Sequence, residues 1–84
     1  MTRKTIRIEL ASGLEARPVA MLVQIASQFE SSIYVENEGA RFNAKRIMGM
    51  MTLGLSSGEE ITVSADGKDE EGAIPQIEKY LRTN

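Results

Sequence analysis

The stretch Lys4-Thr5-Ile6-Arg7-Ile8-Glu9-Leu10 alternates polar and apolar residues, and the hydrophobic period changes a few residues after it. Alternation places Ile6, Ile8 and Leu10 on one face of an extended chain, which is the pattern of a half-buried β-strand. Over residues 16–29 the apolar residues recur at three- and four-residue spacing, which predicts an amphipathic helix. The sequence therefore opens with a strand followed by a helix.

Similar changes of period continue along the rest of the chain. Alternation or β-branched and aromatic content predicts strands over residues 32–36, 40–43 and 60–65. A short methionine-rich helix is predicted over residues 46–53, with Met50 and Leu53 facing inward. The resulting order, βαββαβα, predicts an α+β fold in which antiparallel strands are covered by helices on one face. We expect residues 1–84 to form one domain.

The last helix is predicted to begin after Asp69. Asp69 is a suitable N-cap, and Glu70 and Glu71 suit the positive end of the helix dipole. Gly72 and Pro75 are poor helix residues, so the first turns are expected to be irregular or kinked.

Composition excludes several classes of function. The 84 residues are 42% hydrophobic and 26% charged, with a formal net charge of -2, so no basic excess points to nucleic acid. No run approaches the roughly 20 apolar residues that span a bilayer. The segment after Met1 alternates and does not resemble a secretory signal. We therefore expect a cytoplasmic protein without membrane insertion.

The chain contains neither cysteine nor histidine. Their absence excludes disulfides, a thiolate nucleophile and an ordinary zinc site, and it removes the side chain that most readily moves protons near neutral pH. We expect no metal and no cofactor, and a binding protein is favoured over an enzyme.

The segment Ser12-Gly13-Leu14-Glu15-Ala16-Arg17-Pro18 resembles the active-site signature of HPr, the histidine phosphocarrier of the sugar phosphotransferase system. That signature reads glycine, an apolar residue, histidine, alanine, arginine and proline, at the same distance from the N-terminus. Residues 43–53 resemble the regulatory segment of the family, and residues 58–61 with the following acidic turn complete the likeness. The resemblance implies an open-faced β-sandwich, a four-stranded antiparallel sheet under three helices.

Two residues depart from the family pattern. The phosphate-accepting histidine falls at Glu15, and the serine that a regulatory kinase phosphorylates in many members falls at Arg46. A paralogue class called Crh also lacks the histidine but keeps that serine. The resemblance therefore implies a non-catalytic regulatory or adaptor paralogue, with enzyme I, other phosphotransferase components or a carbon-control transcription regulator as partners.

By resemblance, the start of the first helix is an anion-binding site formed by Ser12, Ala16, Arg17 and Pro18. Free N–H groups and the helix dipole favour an anion there, and the Arg17 guanidinium can donate hydrogen bonds to phosphate oxygens. Glu15 would hold a permanent carboxylate in this setting and partly imitate the phosphorylated state. The simpler interpretation is that Glu15 is an acid at a solvated helix start.

A second surface is implied by the match at Ile47, Met48 and Met51, positions that form an exposed apolar patch for partners in HPr proteins. The alternative is that methionines on a short helix fill the core. Arg46 removes kinase control at its position and opposes partners that expect a phosphoserine there. Together with Lys45 it makes a small basic patch that is expected to be solvated surface.

Three alternatives remain open at this point. Glu15 itself could accept phosphate from enzyme I as an acyl phosphate, since carboxylates serve as covalent nucleophiles. Outside the family, a small ferredoxin-like or similar α+β module that binds RNA or protein shares the element order. Glu15 could also have been introduced deliberately as a charge mimic.

Overall fold

A computed structural model describes residues 1–9, 16–53 and 58–82, and for residues 16–18 it describes the backbone alone. The elements follow the predicted order βαββαβα. The strands are β1 (Thr2–Arg7), β2 (Ser32–Asn37), β3 (Ala40–Asn43) and β4 (Glu60–Asp66), and the helices are α1 (Ala16–Ser27), α2 (Ile47–Met51) and α3 (Glu70–Leu81).

The four strands form one antiparallel sheet in the order β1-β4-β2-β3. In the central strand β4, Val63 pairs with Lys4 on one side and with Val35 on the other. The predicted α+β class and antiparallel sheet are confirmed.

The first strand differs from its predicted bounds of residues 4–10, because β1 begins at Thr2 and ends at Arg7. Its pairing nevertheless continues through Ile8, whose N–H donates to the Glu59 carbonyl at 2.8 Å and whose carbonyl accepts from Gly58 at 2.7 Å. Leu10, predicted to face inward, lies outside the described residues.

All three helices cover the same face of the sheet. The strand residues that alternate onto this face are buried, as predicted for Ile6, Ile8, Ile61, Val63 and Ala65. Each fully buried Leu or Ile side chain stabilises the fold by about 1.5–3 kcal/mol relative to exposure. The helices contribute the other side of the core, chiefly through Leu22, Ala26, Met50, Leu53, Ala73, Ile74, Ile77 and Leu81.

Helices α1 and α2 are shorter than the sequence predicted, and α3 begins with an irregular turn. α1 ends at Ser27 because Gln28 and Phe29 donate to carbonyls three residues back, a tightening common at helix ends. α3 begins with the Gly72 and Ala73 N–H groups sharing the Asp69 carbonyl, so irregular bonding occurs in its first turn. It then continues through Pro75 to Leu81.

Asp69 occupies the N-cap position of α3, but its side chain does not cap the helix. Its carboxylate instead accepts hydrogen bonds from the Glu30 N–H at 2.8 Å, the Ser31 N–H at 3.0 Å and the Ser31 hydroxyl. The predicted capping role of this side chain is therefore wrong. The chain that enters β2 runs against the β4–α3 turn, so its N–H groups lie within reach of the carboxylate.

Gly67 is where these two segments touch most closely. An ideal Cβ at this position would lie 2.6 Å from the Ser31 hydroxyl oxygen and 2.7 Å from Ser31 Cα. Ser31 is itself buried and held by Asp69. Only a residue without a side chain permits this approach of two backbones.

We expect Gly67→Ala to lower the free energy of unfolding by about 1–3 kcal/mol, because its methyl group overlaps the Ser31 backbone. Urea denaturation followed by far-ultraviolet circular dichroism measures the change. Gly49→Ala is the matched control, since nothing lies within 4 Å of a Cβ there. In helix α2 that exchange should stabilise the fold by up to about 1 kcal/mol. Equal stability of Gly67→Ala and the parent chain would contradict the close approach.

Asp69 also predicts a dependence of stability on pH. The Ser31 hydroxyl first, then the Glu30 N–H, hold the pKa of Asp69 below its usual value of 3.8. A carboxyl with a lowered folded-state pKa stabilises the fold above its unfolded pKa, and this contribution disappears as pH falls through the folded pKa. Asp69→Asn should therefore be less stable than the parent at neutral pH, and the difference should shrink below about pH 4.

Denaturation midpoints of both proteins across this pH range test the prediction. Asp66→Asn is the control, because Asp66 is exposed and its one recorded ion pair, with the N-terminal ammonium, is 3.9 Å long. A gap between Asp69→Asn and the parent that stays constant down to about pH 2 would contradict the linkage.

Candidate functional site

The start of α1 is the first candidate site. Ala16, Arg17 and Pro18 form the first helical turn, where N–H groups lack partners within the helix and Pro18 carries none. Ser12 and Glu15 lie outside the described residues, as does the Arg17 side chain. The anion-binding role of these residues remains a prediction.

The core fixes the position of this helix start. Val19, in the turn that follows, is buried, and Leu22 one turn later is fully enclosed. α1 packs against both α2 and α3. Buried side chains and the contacts with α2 and α3 therefore set the position of α1.

α2 divides its apolar residues between two environments. Met50 is fully buried and Leu53 nearly so, as predicted. Met48 is 80% exposed, Met51 53% and Ile47 38%. We call Ile47, Met48 and Met51 the methionine patch. Core filling thus accounts for Met50 but not for Met48 or Met51.

Met21 is an exposed apolar residue that the sequence reasoning did not single out. It lies on α1, the helix that packs against α2, and is 41% exposed. The signal was present in the sequence, because Met21 falls outside the apolar stripe that predicts this helix.

Lys45 does not behave as the solvated cation that was expected. Its ammonium donates to the Phe29 carbonyl at 2.6 Å, and its backbone N–H donates to Asn43 Oδ1 at 2.9 Å. Carbonyls that follow a helix C-terminus favour a cation. Lys45 therefore ties the entry of α2 to the end of α1.

Arg46, at the regulatory position of the family, is the N-cap residue of α2. Its backbone is extended, with φ −111° and ψ 107°, and its side chain makes no capping hydrogen bond. The side chain is exposed, and among the residues that the structure describes its guanidinium has no recorded hydrogen bond or ion pair. Its cationic head is thus open to solvent beside the methionine patch.

Two other kinds of site are absent from residues 1–9, 16–53 and 58–82. No group of three or more His, Cys, Asp or Glu residues in these ranges is placed to hold a metal ion. No helix in the same ranges combines the length and apolar character needed to cross a membrane.

The four-stranded antiparallel sheet under three helices defines an open-faced α+β sandwich. The chain belongs to the HPr family, because the family model described as "PTS HPr component phosphorylation site" matches residues 2–83. This match confirms the resemblance found in the sequence.

Relatives and solved structures agree with this assignment. The chain is 40% identical over 82 residues to the HPr-like protein Crh of Bacillus subtilis, covering 98% of this chain and 96% of that protein. It is similar in fold to HPr of Bacillus anthracis, with TM-score 0.90, 39% identity and 95% of each chain covered. A crystal structure of Bacillus subtilis Crh, described as a swapped, intertwined dimer, matches with TM-score 0.76 and 40% identity over 98% of this chain and 94% of that chain.

Exposure predicts the order in which the methionines react with peroxide. We expect dilute hydrogen peroxide to convert Met48 and Met51 to sulfoxides well before Met50, whose sulfur is enclosed by the core. Peptide mass spectrometry after timed quenching measures each site. Met50 is the internal control, one residue from Met51 in the same helix. Oxidation of Met50 at the rate of Met48 would contradict the orientation of α2.

Proposed function

We propose that this chain is a non-catalytic regulator or adaptor of the phosphotransferase system, acting in the cytoplasm by docking to protein partners through the methionine patch. The observation that carries the proposal is the exposure of Met48 and Met51 beside the buried Met50. Exposed apolar residues grouped on one element mark interaction surfaces. Methionine suits several partners, because its flexible, polarizable side chain adapts to different shapes.

The residue at the family acceptor position supports a role without phosphate relay. Glu15 stands where HPr proteins carry histidine, and it directly precedes α1. A carboxylate at a helix start is stabilised by the dipole, typically by about 0.3–1 kcal/mol at an exposed site. We propose that Glu15, with the retained Arg17, gives partners a constant negative charge in place of a transferable phosphoryl group.

The regulatory position supports the same role. Arg46 has no hydroxyl, so this position offers no acceptor to a serine kinase. The similarity to Crh, which a solution structure names the catabolite repression HPr of Bacillus subtilis, favours a part in carbon control. Enzyme I, other phosphotransferase components and a carbon-control transcription regulator are the proposed partners.

Titration with enzyme I and with a carbon-control transcription regulator tests the docking. Isothermal calorimetry should give saturable binding to at least one of them. The double variant Met48→Ser/Met51→Ser should weaken that binding by about tenfold or more, since buried anchors at an interface contribute more than about 1 kcal/mol each. Gln76→Ser, exposed on α3, is the control and should bind like the parent.

The same proteins test phosphate relay. After incubation with phosphoenolpyruvate and enzyme I, intact mass spectrometry should show no added phosphate on this chain. A gain of one phosphate that disappears in Glu15→Gln would instead establish a carrier that uses an acyl phosphate. Failure of the parent chain to bind any of these proteins would contradict the docking role.

A further inference from the structure

Arg46 is one of three cations in the described part of the chain, with Arg7 and Lys68, whose charge has no ion pair, hydrogen bond or ring contact within the fold. Lys4 pairs with Glu78 at 2.7 Å, Arg82 pairs with Glu9 at 3.1 Å, and Arg3 pairs with Glu36 at 3.4 Å. Arg41 lies over the Tyr34 ring, with its guanidinium carbon 3.9 Å from the ring centroid. Arg46 has no such recorded partner in the described part of the chain.

The placement of Arg46 also opposes local helix chemistry. A helix begins best with a side-chain oxygen at the N-cap and with negative charge in its first turn. α2 begins with a cation, has no side-chain cap and has no acid in its first turn. Local stability therefore does not account for this residue, and exceptions of this kind are expected where function requires them.

Charge is distributed unevenly around the methionine patch. The protein has 12 acidic and 10 basic residues, yet neither α1 nor residues 39–58 contain an acid. The cations in these two segments are Arg17, Arg41, Lys45 and Arg46. Of these cations, Arg46 is exposed at the start of α2 and directly precedes Ile47, so a partner that approaches α2 meets a positive charge beside the apolar side chains, on a protein that is acidic overall.

A guanidinium in this place can discriminate between partners. It is planar and pairs with a carboxylate through two parallel hydrogen bonds, and it stays charged at any physiological pH. Docking on Met48 and Met51 would remove water from around the neighbouring pair, which strengthens attraction to a carboxylate and repulsion of a cation.

We propose that Arg46 determines the specificity of the methionine patch. It selects protein surfaces that place an Asp or Glu carboxylate beside an apolar pocket and rejects surfaces with a cation at that place. This inference rests on the proposed docking function, and it concerns which partners bind and not whether the patch binds.

Binding of enzyme I, measured by calorimetry at about 50 mM and about 200 mM salt, tests the inference. Arg46→Gln should weaken binding several-fold and Arg46→Glu by about tenfold or more, with the larger effect at low salt. Arg46→Lys should recover part of the loss. Arg7→Glu is the control, because Arg7 is exposed on β1 and alternates away from the helix-covered face that buries Ile6. The affinity of Arg7→Glu for enzyme I should be within about twofold of that of the parent.

The outcomes separate this inference from the proposed function. If binding is lost in Met48→Ser/Met51→Ser but unchanged in Arg46→Glu, the role of Arg46 is contradicted. The docking function of the methionine patch is then still supported. Equal losses in Arg46→Glu and Arg7→Glu would also contradict the role of Arg46, since overall charge would then account for the effect. No binding by the parent chain would contradict the docking function itself.

Discussion

The fold depends on burying one face of the sheet. β4 lies in the interior of the sheet, paired with β1 and β2, and its Ile61, Val63 and Ala65 all require cover on the same side. Three helices supply that cover, so they form a single layer and pack against one another. Within this layer α1 packs against α2, and these two helices carry segments that resemble the family's functional regions. Core formation therefore brings these two helices together.

Hydrophobic period was enough to predict the elements, because each buried strand residue belongs to a local alternation. Contacts between residues distant in sequence were not predictable in the same way. The Asp69 carboxylate bonds to residues 38 and 39 positions away, and Lys45 bonds to a carbonyl 16 positions away. From the local sequence, we expected the Asp69 side chain to cap α3 and the Lys45 side chain to be solvated. Both expectations were wrong because the chain entering β2 passes beside each of these side chains.

The candidate site was predictable only through family resemblance. α2 is five residues long, too short for a period to separate its buried side from its exposed side. Met48, Met50 and Met51 are chemically identical, yet their environments range from fully enclosed to 80% exposed. Packing of α2 against α1 and β3 decides between them, although the inward position of Met50 was already predicted from the sequence. The regions of α1 and α2 resembled known functional segments, and this likeness identified the patch.

Under the proposed function, the two residues that depart from the family pattern, Glu15 and Arg46, carry opposite charges. Phosphorylation of an HPr-type protein adds strongly negative charge that can be removed again, close to two elementary charges for a phosphoserine at neutral pH. Glu15 fixes a single negative charge at one such position, and Arg46 fixes a positive charge at the other. Neither charge can be switched by phosphate transfer. A surface that carries both fixed charges would present the same charge pattern to every partner. Its regulation would then have to come from the amount of protein or from competition among partners.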